Sequence, residues 1–203
     1  MYQIILASES PRRKEIMETM GIPYIVLTGN VEEVAQETVP AELVQALARL
    51  KTDAISSKLS MQSDERKDLI IIGADTMVFY MEHALGKPKD EADAVRILQM
   101  LSNDVHEVYT GVSIIIRNME GIEDNFSFAV STKVVVQAMT TEQIMSYVAT
   151  GEPMDKAGAY AIQGKFGIYI KEIVGDYYNV VGFPIAKIYE MLLLRGIDIK
   201  KIK

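Results

Sequence analysis

The sequence predicts an α/β fold, a mixed sheet with flanking helices and a central cleft, and three observations lead there. Short apolar runs of strand length alternate with segments of helical spacing along the chain. Two later strands follow one another across a polar turn, which adds an antiparallel pair to an otherwise interspersed order. Apolar residues make up 49% and charged residues 24% of the 203 residues, values of an ordinary globular chain with a real core. No repeat, biased tract or long linker interrupts residues 1–203, so a single domain of two lobes around one cleft is the simplest organisation.

The elements can be justified in order. Ile4, Ile5 and Leu6 form a short buried strand, after which Ser10 offers an N-cap and Pro11 a first helical position for a helix toward Gly21. A second helix begins near Pro40, with Leu43, Leu47, Leu50 and Ala54 along one buried stripe and Lys51 bordering it. Ser60 to Asp68 is the most polar stretch and connects that helix to the next strand. The run from Leu69 to Met81 is almost wholly apolar around Gly73, Asp75 and Thr76, as in a central strand covered on both faces.

A turn near Glu82 and His83 leads to Leu85-Gly86-Lys87-Pro88, where Pro88 keeps Lys87 extended, and to a helix capped by Asp90 with Asp93 in its first turn. Strands over roughly Glu107 to Arg117 and Phe126 to Ala138 are joined by a turn containing Gly121. Thr140 and Gln143 make a capping box for a helix that Gly151 stops. Gly151 to Gly164 is a glycine-rich shaped loop before a strand from Ile168 to Val174. Pro184 opens the last helix, and Arg195 with Gly196 signals its end.

Composition excludes several chemistries. With no cysteine there is no disulfide scaffold, thiolate zinc site or cysteine nucleophile, and two histidines leave little for an imidazole metal cage. Any metal must therefore take oxygen ligands. No segment approaches the roughly 18 apolar residues that span a bilayer, and the start MYQIILASES lacks a signal-peptide pattern, so a soluble cytoplasmic protein with no membrane partner is expected. A net charge of −7 argues against a nucleic-acid partner except where basic residues converge locally.

The chemistry-bearing residues stand out against that background. Arg12 and Arg13 in a first helical turn oppose the positive end of the macrodipole at about 0.3–1 kcal/mol each. An anion there would meet free backbone N–H groups, the Ser8 and Ser10 hydroxyls and two guanidinium groups; a solvated surface pair is the other reading. Asp75 follows Leu69-Ile70-Ile71-Ile72-Gly73-Ala74, and a carboxylate at the end of a buried strand calls for a partner or a metal. Metal ligand, general base and structural cap remain open for it. Glu32 and Glu33 add carboxylates, Lys51 and Lys87 add cations beside apolar or tightly turned segments, and His106 ahead of a strand reads as structural. In the glycine-rich loop, the Gln163 amide can donate to one carbonyl and accept from one ring N–H, the pattern on the O4 and N3–H edge of uracil or thymine; flipped, it suits cytosine.

With those residues in view, the chain strongly resembles the Maf family (septum formation protein Maf) of nucleoside triphosphate pyrophosphatases, nearly end to end. The resemblance rests on Leu6-Ala7-Ser8-Glu9-Ser10-Pro11-Arg12-Arg13, Gly73-Ala74-Asp75-Thr76 and Leu85-Gly86-Lys87-Pro88, in that order. Val108-Tyr109-Thr110-Gly111-Val112 and Gly175-Asp176-Tyr177-Tyr178-Asn179-Val180-Val181-Gly182 extend it. Within the family, the stretch from Gly151 to Gly164 is similar to the branch acting on dTTP and UTP. Ala161, Asn103 and Lys165-Phe166 depart from the usual pattern.

The resemblance implies an inosine triphosphate pyrophosphatase-like fold and hydrolysis of dTTP and UTP to the monophosphate and pyrophosphate. It implies Asp75 as proton acceptor and Arg12, Thr76 and Gln163 at the specificity positions. Glu33, Lys51 and Lys87 fall on other polar site positions. Combined with the basic residues, it gives a nucleoside triphosphate gathered by Ser8, Ser10, Arg12, Arg13, Lys51 and Lys87, with Mg²⁺ or Mn²⁺ as divalent cofactor on Glu33 and Asp75. A homodimer is compatible with size and resemblance. The family name leaves one alternative, a nucleotide-sensing regulator of cell division without significant turnover.

Overall fold

In a computed structural model, which describes residues 2–29, 31–32, 34–61, 68–121 and 123–202, the first strand is β1, Gln3–Leu6, buried from Ile4 onward. α1 (Pro11–Thr19) carries Pro11 in its first turn, where a missing N–H costs nothing. Ser10 holds the N-cap position, yet its side chain makes no cap hydrogen bond there, contrary to the sequence expectation. β2 (Ile25–Val26) follows, and then α2 (Pro40–Met61).

Packing divides the chain into two compact units. The first comprises Met1–Asp75, Thr110–Ala129 and Gly182–Lys203; the second comprises Thr76–Tyr109 and Val130–Val181. In the first unit β1 pairs in parallel with β2 and with the opening half of β3 (Leu69–Tyr80), in the register Leu6↔Val26 and Leu6↔Ile72. Its core includes Ile5, Ala7, Ile55, Ile71 and Ile115, with Leu27, Leu59 and Leu69 packed at the edge.

The buried face of α2 is Val44, Leu47, Ala48, Thr52, Ile55 and Ser56, while Leu43, Leu50 and Ala54 are only half-buried. The predicted stripe is thus rotated by about one residue, and two glycines supply the reason. A Cβ at Gly111 would lie 2.1 Å from the Val44 carbonyl oxygen, and one at Gly73 would lie 2.8 Å from Thr52 Cγ2 and 2.9 Å from the Ala48 carbonyl. The helix backbone therefore lies directly against these glycines, along the side that carries its small residues. Thr52 Oγ1 and Ser113 Oγ, both fully buried, hydrogen-bond each other at 2.8 Å in the same layer.

The second unit begins on the closing half of β3. β4 (His83–Leu85), which the sequence reading merged into a turn, pairs antiparallel with β3 through Tyr80↔His83. The hairpin is made by Met81 and Glu82, both at left-handed φ, 47° and 66°. α3 (Glu91–Leu101) starts at Asp90, whose carboxylate accepts from Asp93 N at 2.8 Å as expected. Next come β5 (Val105–Arg117) and β6 (Glu123–Val136), each with residues in both units. α4 (Thr141–Val148) opens with the expected reciprocal capping box of Thr140 and Gln143, and Gly151 ends it at φ 74°.

Three short 3-10 turns at Glu152–Asp155, Ala157–Ala159 and Lys165–Tyr169 shape the loop before β7 (Ile170–Val174), which pairs antiparallel with β6. α5 (Tyr177–Val181), not anticipated from sequence, occupies the Gly175–Gly182 block. α6 (Ile185–Leu193) follows Pro184 and ends before Gly196, at φ 76°. The sheet has seven strands in the order β2-β1-β3-β5-β6-β7, with β4 on β3, so the fold is the predicted mixed α/β. Asn103, one of the departures noted in the sequence, adopts a left-handed φ of 58°, a conformation asparagine tolerates better than most residues. No helix among the described residues is long and apolar enough to cross a membrane.

Candidate active site

In the first unit, parallel pairing decides which segments meet. With Leu6 opposite Ile72 and Ala7 N donating to Ile72 O at 2.8 Å, the chain leaving β1 runs beside Gly73-Ala74-Asp75. The Ser8–Arg13 segment and Asp75 therefore share the carboxyl end of neighbouring parallel strands, where α/β sheets gather ligands. Ser8 is buried, and its Oγ accepts from Arg13 Nη1 at 2.9 Å and from Ser10 N at 3.3 Å. The Arg13 guanidinium is itself buried and donates through Nε to the Gly182 carbonyl at 2.8 Å. Of the two arginines, Arg13 ties the loop together, whereas Arg12 is half-buried in the same first turn of α1.

β3 fills the strand expected from Leu69 to Met81, so Asp75 lies inside it, three residues beyond the pairing with β1 rather than at its end. Burial along the strand instead lapses at Asp75, Thr76 and Met77 and resumes at Val78 and Phe79, and a carboxylate is tolerated in that less covered stretch. Lys51 Nζ meets Asp75 Oδ1 at 2.6 Å, with side chains 17% and 14% exposed. The close seat of α2 on Gly73 brings Lys51 to this point, one helical turn beyond Leu47. This is a short, largely desolvated ammonium–carboxylate contact, stronger than a surface pair. Glu33 lies outside the described residues.

In the second unit, Thr76 is half-buried and points from β3 to the face opposite Asp75. Lys87 is exposed after β4, and the carbonyl of its neighbour Gly86 accepts from Gly158 N at 3.2 Å, which joins the two loops. Gly158 has φ 70°, and a Cβ there would meet the Val78 methyl groups at 3.0 Å. Gln163 is exposed at the end of the glycine-rich loop, and Lys156 contacts the adjacent Asp155 carboxylate.

Beneath that loop, Phe166 is fully buried among Tyr147, Tyr160 and Tyr169, with ring centroids 5.0, 4.8 and 5.4 Å away. His106 lies within β5, 2% exposed, with Nε2 2.8 Å from Tyr160 Oη, so it is structural as expected but inside the strand rather than ahead of it. Burial pushes its pKa down to about 4, partly opposed by the Asp104 carboxylate. Burial raises the Tyr147 and Tyr160 hydroxyls above the ordinary tyrosine value, helped at Tyr147 by Glu152, so both stay protonated.

Three polar groups here had no assigned role in the sequence reading. Thr132 Oγ1 donates to Asp176 O and accepts from Asp176 N, both at 3.1 Å, and it also accepts from Asn179 Nδ2 at 2.9 Å. Asn179 Nδ2 donates to Val108 O as well, at 2.9 Å. Glu152 joins Tyr147 Oη at 2.8 Å to Lys165 N at 3.1 Å. The Asn179 and Glu152 motifs were visible; the partners of Asn179 come from strands distant in sequence, whereas those of Glu152, Tyr147 and Lys165, lie close along the chain but are met only through the fold of the loop.

Residues 3–194 match the family model described as Maf-like protein. Proteins named dTTP/UTP pyrophosphatase are similar over nearly the full length. That of Lachnoclostridium phytofermentans is 47% identical over 99% of both chains, and that of Agathobacter rectalis is 44% identical over 98% of this chain and 100% of its own. The solved Ham1 protein of Staphylococcus aureus aligns over 96% of this chain and 98% of its own at 18% identity and TM-score 0.46, which adds nothing to the fold already described. The ordered motifs, the strand-borne Asp75 and the full-length match lead to one conclusion: the chain belongs to the Maf family.

Proposed function

We propose that this chain is a nucleoside triphosphate pyrophosphatase, hydrolysing dTTP and UTP between the α and β phosphates to the nucleoside monophosphate and pyrophosphate. The observation that carries the reaction type is the Lys51–Asp75 pair, an oriented carboxylate 2.6 Å from an ammonium on the carboxyl-end side of a parallel strand pair. The substrate assignment is supported by the relatives' names and by the donor–acceptor amide of Gln163.

Water attacks the α-phosphorus, the bond from that phosphorus to the bridging oxygen breaks, and pyrophosphate leaves as Asp75 accepts the proton from water. Lys51 has three N–H donors, so it can hold Asp75 and still meet a phosphate oxygen. Arg12, with Ser10 and the first amides of α1, takes further phosphate charge, and Lys87 is a further substrate-binding cation. Arg13 orients Ser8. Thr76 and Gln163 select the nucleotide.

A divalent cation, Mg²⁺ or Mn²⁺, fits the oxygen donor set. Mg²⁺ is commonly bound by one or two carboxylates together with substrate phosphates, which needs no larger protein cage. Asp75 and Glu33 would be its protein ligands, and the ion would supply charge neutralisation on the phosphates. A small-molecule substrate accords with the net charge of −7, which disfavours nucleic acid.

The test is a panel of nucleoside triphosphates incubated with Mg²⁺ or Mn²⁺, products resolved, with Asp75→Asn in parallel. Monophosphate and pyrophosphate from dTTP and UTP, lost in the variant, is the expected result. Release of single phosphate would move the scissile bond, and tight binding without turnover would replace the enzyme with a nucleotide sensor.

A further inference from the structure

The segment that carries Gln163 is held on both sides by one carboxylate. Two residues before Gln163, Ala161 N donates to Tyr147 Oη at 3.3 Å, and that hydroxyl donates in turn to Glu152 Oε1 at 2.8 Å. Two residues after Gln163, Lys165 N donates to Glu152 Oε2 at 3.1 Å. Glu152 is held from its own side, its amide donating to Thr150 Oγ1 at 3.3 Å. Between the two pinned amides, Gly164 N closes a turn on Ala161 O at 3.1 Å.

The carboxylate also fills the space above Gly164. A Cβ there would lie 2.3 Å from Glu152 Oε1 and 2.6 Å from Oε2, although Gly164 has φ −108°, open to any residue. The glycine is required by the carboxylate rather than by the backbone. A glutamine amide presents an oxygen on one side and an NH₂ on the other, so it distinguishes bases only if its orientation is fixed. Exposed Gln163 has no hydrogen-bonded scaffold of secondary structure to fix it, and the flanking backbone must do so.

We propose that Glu152 and Tyr147 are positioning residues for base discrimination: through the amides of Ala161 and Lys165 they fix the turn that presents the Gln163 amide to the pyrimidine. The inference rests on the reading of Gln163 as base reader. Neither residue needs to touch the substrate, and Tyr147, at 3% exposure, is buried.

The experiment measures kcat and KM for UTP, CTP and GTP in the wild type, Glu152→Ala, Glu152→Gln, Gly164→Ala and Gln163→Ala, with thermal unfolding of each. Glu152→Ala should raise KM for UTP about tenfold, change kcat less than about threefold, and cut the UTP/CTP ratio of kcat/KM about tenfold. Glu152→Gln keeps an acceptor for Lys165 N and an N–H for Tyr147 Oη, and should restore most of that ratio. Gly164→Ala displaces the carboxylate and should reproduce Glu152→Ala, with the double variant no worse than either single one. If Glu152→Ala does not fold, Tyr147→Phe keeps the ring, removes only the hydroxyl and carries the same test with about a threefold loss in the ratio.

An unchanged UTP/CTP ratio in Glu152→Ala, alongside a changed one in Gln163→Ala, would overturn the positioning role and leave the base reader intact. A loss spread equally over the three triphosphates would overturn it too, marking Glu152 as merely structural. An unchanged ratio in Gln163→Ala itself would remove the base-reading role, and the brace would lose its purpose with it.

Discussion

Asp75, Lys51 and Arg13 of the first unit stand on regular elements, a strand and two helices, and opposite charges and buried donors fix their side chains. Gln163 of the second unit stands on a turn, and what fixes it lies below and beside it: fully buried Phe166, the tyrosines around it, and a chain of hydrogen bonds through Tyr147 and Glu152. On the proposed roles, the contrast follows from what each group does. Charges that stabilise a transition state must be preorganised within a fraction of an ångström, which strands and helices achieve without help. A base-reading amide can ride on a loop, but only where neighbouring side chains supply the rigidity the backbone lacks.

The largest expected effect separates the two units most directly. Asp75→Asn keeps the shape and removes the base, and kcat should fall by about 10³-fold while the UTP/CTP preference stays within about twofold. Gln163→Ala should do the converse, shifting preference about tenfold with a small change in kcat. If the two variants give the same pattern, the division between a chemical unit and a selecting unit breaks down.

Next in size is Gly111→Ala. Its Cβ would fall 2.1 Å from the Val44 carbonyl, where only a shift of α2 makes room, so a loss of about 3 kcal/mol in chemical denaturation is expected. Because α2 also carries Lys51, kcat should drop in the folded fraction. A stable Gly111→Ala with full activity would show that the close helix seat is not what holds the Lys51–Asp75 pair.

Acid should weaken the molecule through the second unit. His106, with its pKa pushed down to about 4 from 6.5 by burial, binds fewer protons folded than unfolded between those values. Stability present above pH 6.5 is therefore lost as pH falls through the window, by up to about 3 kcal/mol. His106→Gln, whose amide can either donate to or accept from Tyr160 Oη, should flatten that part of the pH dependence of unfolding. Equal slopes in both proteins would mean that the imidazole finds room to charge in place.

How much of this was legible in the sequence depends on how far each signal had to travel. The Asp90 cap, the Thr140–Gln143 box and the Pro11 start are local signals, and all stand where the residues put them. The buried face of α2 was displaced because Gly73 and Gly111, on two different strands, choose it. Asp75 was flagged by its polarity amid apolar neighbours, and the run from Leu69 to Met81 already put it in a strand, but the dip in burial at Asp75, Thr76 and Met77 is set by what packs on that strand, which no run of residues announces. Glu152 was in plain view, but its meaning lies in its hydrogen bonds to Tyr147 and Lys165, which depend on how the loop turns back on itself.

The smallest expected effect concerns β4, the strand the sequence hid. Its hairpin is closed by Met81 and Glu82, both left-handed, in a two-residue connection that normally recruits Asn-Gly. Met81 is 72% exposed, so packing does not compensate for the unfavourable φ. Met81→Asn with Glu82→Gly should stabilise the fold by about 1 kcal/mol, read as a higher midpoint of unfolding. The strand leads in a few residues to Lys87, proposed as a substrate-binding cation, and strain retained beside such a residue is sometimes part of its mechanism. If the double variant gains stability with KM for UTP unchanged, the hairpin strain is incidental, and recognition in the second unit rests on the braced loop alone. If KM rises as stability does, the strain sets the position of Lys87, and the second unit then fixes a cation by backbone conformation, where the first fixes Lys51 by a carboxylate.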